Sequence, residues 1–134
     1  MKKLLVLFLL PLWSFSQTSH QTLELLLAQK KYAKAEQLAS PFVANNPNDL
    51  KAIEILGDAY SYQEKWDEAI KQYKKLVVLK PEVANFHYKY GGALGMKALS
   101  VNKLSALTYL GDLKEAFLTA AKLDSHFTTS NSKP

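Results

Sequence analysis

The 134-residue chain contains no cysteine and no arginine. Without cysteine there is no disulfide, so stability has to come from packing, and there is no thiol to carry a lipoprotein anchor. Its 17 basic residues are all lysine, so the planar fork that reads carboxylate and phosphate with two parallel hydrogen bonds is missing. The three histidines, His20, His87 and His126, lie far apart, with no pair at metal-ligand spacing. Gly91-Gly92 and Gly95 lack the lysine and hydroxyl residue of a phosphate loop, and no nucleophile elbow occurs. No catalytic residue, cofactor or metal is therefore expected. No apolar run reaches the roughly 20 residues needed to span a bilayer.

The chain does open on a short basic start, Met1-Lys2-Lys3, followed by an apolar run from Leu4 to Trp13 and the small-residue close Ser14-Phe15-Ser16-Gln17. This is the three-part plan of a secretory signal peptide, with cleavage after Ser16 leaving Gln17 first; an uncleaved anchor is the rival reading. The expected location is exported, periplasmic or secreted, with no stable membrane insertion once the leader is gone. Loss of Lys2 and Lys3 takes the formal charge from +5 to +3. That mild balance, outside the cytoplasm, argues against nucleic acid as a partner.

The remainder is organised by a 34-residue period. Gly57 and Gly91 are one period apart, and so are Pro47 and Pro81. A fixed period of this size marks a repeat architecture whose units cannot bury their apolar faces alone. The first unit, about 16–49, pairs a helix carrying Leu23, Leu26 and Leu27 with one carrying Tyr32, Ala35, Leu38-Ala39 and Phe42. Pro47 ends it, and Asn48 or Asp49 can cap the next helix. In the second unit, 50–83, Ile53, Leu56-Gly57 and Tyr60 face Trp66, Ala69-Ile70, Tyr73 and Leu76-Val77 across the connection Gln63-Glu64-Lys65. Gly57 and Ala69 let the two backbones approach, and aromatics fill the wider gaps.

At Leu56-Gly57, Tyr60, Ala69, Tyr73 and Pro81 the chain resembles the tetratricopeptide repeat (TPR) family, and in its leader and third unit it is similar to exported bacterial members. The resemblance spans about 18–124 and implies an all-α solenoid of antiparallel hairpins, about three units, in a TPR domain at 17–124. It implies a non-catalytic scaffold or adaptor that holds a protein partner, a peptide or helix, in a concave groove lined by first helices. Carried onto this sequence, the groove positions are Lys51, Glu54, Asp58, Ser61 and Tyr62, then Asn85, Tyr88, Lys89 and Gly92, with His20, Glu24 and Leu27 in the first unit. The anion-gripping set known in one branch of the family would fall on His20, Glu24, Ile55, Asn85 and Lys89, of which only the last two suit an anion.

The third unit, 84–124, departs from the period. Its second-helix pattern arrives at Gly111 to Ala116, 13 residues late. The intervening Leu104, Leu107 and Leu110 recur on one stripe, as in an inserted or extended helix. Beyond Asp124 the sequence turns polar and aperiodic, which predicts a disordered tail over 125–134. The last helix exposes Phe117, Leu118 and Ala121, too apolar for a solubilising cap. Either the chain is a short, truncated relative of a longer array, or that face pairs with something, as in a homo-oligomer.

Overall fold

The computed structural model describes residues 18–131, with side chains as far as Ser125. The leader at 1–16 and the final residues 132–134 lie outside that range. Six helices form three hairpins: α1 (His20–Ala28) with α2 (Tyr32–Asn45), α3 (Leu50–Tyr62) with α4 (Trp66–Leu79), and α5 (Ala84–Ser100) with α6 (Lys103–Asn131). Among the described residues there is no strand.

Local chemistry sets the boundaries. The Ser19 hydroxyl caps α1 by accepting from the Thr22 amide at 3.3 Å, and the Asp49 carboxylate caps α3 through the Ala52 amide at 3.1 Å. Each satisfies an amide that has no partner inside its helix. Lys30 and Glu64, one period apart, both take a positive φ, 59° and 58°, so the first two hairpins turn the same way without glycine. α2 and α4 stop two residues short of Pro47 and Pro81, since proline disfavours helix in the residue before it. Pro41 sits on the exposed side of α2, which continues through it.

Stacking follows the period. α3 packs on α1 and α2, α5 packs on α4, and α6 makes its extensive contact with α5 alone. One apolar cluster runs through the hairpins, with Leu23, Ile53 and Leu76 fully buried. Each contributes about 1.5–3 kcal/mol by leaving water. The notch at Gly57 is real: a Cβ there would stand 2.5 Å from the Tyr73 ring. Gly91 repeats it, but its neighbours are the Phe117 ring at 3.0 Å and Ala116 at 3.3 Å.

The 13 extra residues do not form a separate helix. They lengthen α5 to 17 residues against 13 in α3 and lead into α6, which has 29 against 14 in α4. The connection shrinks to Val101-Asn102, where the Asn102 side chain accepts from the Ser105 amide at 2.9 Å and starts α6. The end of α6 overlaps the stretch where a tail is expected. α6 runs through to Asn131, because no glycine or proline follows Gly111 until Pro134 and an established helix extends at low cost.

Candidate functional site: the first-helix face

The first helices α1, α3 and α5 lie side by side, and ion pairs knit them together. Lys51 on α3 reaches Glu24 on α1 at 2.8 Å. Lys89 on α5 spans to α3, donating to both Asp58 carboxylate oxygens at 2.7 Å and meeting Glu54 at 2.9 Å. Below them the Tyr73 hydroxyl donates to Asp58 at 2.7 Å. With that proton committed, the Ser61 hydroxyl donates to Tyr73 at 3.0 Å. The Lys89 ammonium also stands 6.0 Å from the centre of the Tyr73 ring, at the limit of a cation–π contact.

Electrostatics follow from these contacts. Burial works to lower the Lys89 pKa, but the hydrogen bonds and charges of Asp58 and Glu54 overcome it and hold it above the usual lysine value. Burial, reinforced by the negative charge of Asp58, pushes the Tyr73 phenol far above the ordinary tyrosine range. The hydrogen bond to Glu24 raises Lys51. At the far edge, a hydrogen bond to Asp124 raises the exposed Tyr88 phenol.

The eight groove positions therefore divide into two groups. Glu54, Asp58, Ser61 and Lys89 are half-buried members of one network, whereas Lys51, Tyr62, Asn85 and Tyr88 are exposed along it. Tyr62 stacks on Tyr32 with ring centres 4.5 Å apart and planes within 13°. That contact lay outside the sequence reasoning because the two rings belong to different hairpins.

The anion-gripping positions are engaged within the fold, in keeping with only two of them suiting an anion. Ile55 is only 3% exposed and belongs to the core cluster. His20 is joined to Asp49 at 2.7 Å, Glu24 is occupied by Lys51, and Lys89 is held by two carboxylates. A ligand carboxylate would have to displace Asp58 and Glu54 to reach Lys89, at a cost in charge pairing that nothing nearby offsets. Ile55 lies one period before Lys89, so the α1–α3 seam is apolar where the α3–α5 seam is ionic.

On the other side of α5 the apolar residues are uncovered. Phe117 and Leu118 are 38% and 52% exposed, and Ala121 is exposed beside them. A trough of about 420 Å³ runs between α5 and α6, lined by glycines, alanines and large aliphatics. Sequence reasoning flagged Phe117 and Leu118 but missed the trough. Shifting the second unit forward by one period would have revealed it, because Asp58 becomes Gly92 and Ser61 becomes Gly95. Among the described residues no cluster of three His, Asp or Glu could hold a metal, and no helix is long and apolar enough to cross a membrane.

A family model described as TPR repeat matches residues 57–97, from Gly57 in α3 to Lys97 in α5. No curated protein matches the chain significantly. Such repeats are generally non-catalytic and mediate protein–protein binding. With that match centred on the second hairpin, and an all-helical stack of hairpins around it, residues 57–97 are similar to the TPR repeat and the fold is a TPR-like helical solenoid.

Proposed function

We propose that this protein is an exported adaptor, periplasmic or secreted, that holds a peptide segment or partner helix against its first-helix face. The observation that carries the proposal is the division of that face into a locked floor and an exposed rim. Lys89, Glu54, Asp58 and Tyr73 fix the floor, while Lys51, Tyr62, Asn85 and Tyr88 are exposed above it across two hairpins, three of them steadied by Glu24, Tyr32 and Asp124. A rim preset by its support loses little conformational freedom on binding, which favours affinity. The leader-like first 16 residues support export.

The test is cross-linking in the native envelope followed by mass spectrometry, comparing the wild-type chain with a Lys51→Glu, Asn85→Ala, Tyr88→Ala variant. Specific cross-links should disappear from the variant while its helix content is unchanged. An identical cross-link pattern from both proteins would sink the proposal. Asp58 does not belong in this test, since its removal would strip Tyr73 and Lys89 of their partner.

The exposure of Phe117 and Leu118 favours a second reading, assembly through the α5–α6 face. Replacing both with glutamine should change the sedimentation behaviour of any assembly and leave helix content intact.

A further inference from the structure

We propose that the trough between α5 and α6 receives an amphipathic helix of a partner protein whose apolar face is flanked by acidic side chains. The trough adjoins the first-helix face at Gly92, and its partner is a separate one.

The repeat itself shows what the trough is shaped for. Against α3 and α4, the equivalent place is filled by a helix, α5, anchored through Lys89 to Glu54 and Asp58. One period later those two acids are Tyr88 and Gly92. The aromatic also moves, since the position matching Tyr73 is Ala120 and the ring that closes the Gly91 notch comes from Phe117. The third hairpin thus repeats a seat for a helix, with the ionic anchor deleted and glycine left in its place. Helix-in-groove recognition uses such a trough, with apolar side chains every third or fourth residue as its anchors.

Charge around the trough selects the helix. Lys103, Lys114 and Lys122 are exposed on α6. Lys103 lies seven residues before Leu110, and Lys114 lies four after it, so both share its side of the helix. Lys122 follows Leu118 by four. The acids Asp112 and Glu115 instead line a separate cavity toward α4, with Lys74 and His87. Asp124, seven residues after Phe117, shares that side but is hydrogen-bonded to Tyr88; the uncovered side of α6 is otherwise apolar with a basic border, and the complementary surface is apolar with an acidic one. A second copy would bring lysine borders together, which like-charge repulsion disfavours. A recess floored by glycine accepts protruding side chains better than it meets a flat lipid surface.

The experiment uses the mature chain, residues 17–134, and a fluorescent synthetic helix with a leucine face flanked by glutamates, alongside a twin flanked by lysines. The glutamate probe should bind roughly tenfold or more tightly than the twin, and more weakly as salt rises. A Lys103→Glu, Lys114→Glu, Lys122→Glu variant should reverse the preference. Gly92→Leu should abolish binding of both probes, because it fills the trough. No side chain or neighbouring helix comes within 4 Å of where its Cβ would stand, and an unchanged helical circular dichroism spectrum verifies that the variant is folded. Equal binding of the two probes, or unchanged binding by Gly92→Leu, would overturn the proposal. So would Gly92-dependent capture by phosphatidylglycerol vesicles, or a Gly92-dependent dimer in sedimentation, each identifying a different occupant. Tyr88 touches Phe117 at the edge of the trough, so a Lys51→Glu, Asn85→Ala variant, at residues outside its lining, keeps the two proposals distinguishable.

Discussion

The second hairpin closes its glycine notch with Tyr73 and commits the tyrosine hydroxyl to Asp58, which in turn holds Lys89 of the next hairpin. The third hairpin closes the same notch with Phe117 and has glycine where the acid was. A small change at two helix positions converts a closed seam into an open one. The difference teaches that in a stack of hairpins the polar bridges decide where the array is finished with itself. Apolar contact alone leaves a surface that still has area to bury.

The comparison breaks most easily in the core. Leu76→Ala should cost about 2–5 kcal/mol, since Leu76 is fully buried between hairpins. Leu107→Ala, at a residue 61% exposed, should change stability by no more than about 0.5 kcal/mol. Urea unfolding of the two variants checks the contrast, and equal losses would mean that the α5–α6 face is covered in solution.

The glycines sharpen it. Gly57→Ala places a methyl into the Tyr73 ring and should destabilise by about 1–3 kcal/mol through overpacking. Gly92→Ala meets no neighbour and should stabilise by about 1 kcal/mol, the gain of alanine over glycine inside a helix. Opposite signs in thermal melts are the expected result.

A pH titration probes the seam between the hairpins. The folded-state pKa of Tyr73 is raised, so its contribution is fully present below the unfolded tyrosine value, about 10, and is lost as pH rises beyond it. Lys89 has the same sign. Stability should therefore fall on the alkaline side, and Tyr73→Phe should flatten that fall while costing about 1 kcal/mol at neutral pH for the lost hydrogen bond.

The smallest effect belongs to the α3 cap. Burial acts to raise the Asp49 pKa, but the Ala52 amide and His20 outweigh it and lower it. Its contribution is thus present above the unfolded value, about 3.9, and is lost as pH falls through the lower folded value. Asp49→Asn, which keeps a capping oxygen, should weaken that acid limb and change neutral stability by about 0.5 kcal/mol.

Much of the architecture could be read from the sequence because the period is carried by residues with a single mechanical job. Gly57 marks a close approach, and Pro47 and Pro81 mark helix ends. The Lys89–Asp58 bridge could not be read, since it joins residues 31 apart whose meeting depends on how two hairpins pack. Burial of Ile55 escaped for the same reason, because a helix stripe shows which residues share a side but not which side meets a neighbour. The division of the 13 extra residues between α5 and α6 rested on one capping asparagine, Asn102, a signal that was present and unused.

α6 has 29 residues and leans on α5 for nearly all its support. At 1.5 Å per residue it is about 44 Å long against about 26 Å for α5, so the far end of α6 runs past the helix that supports it.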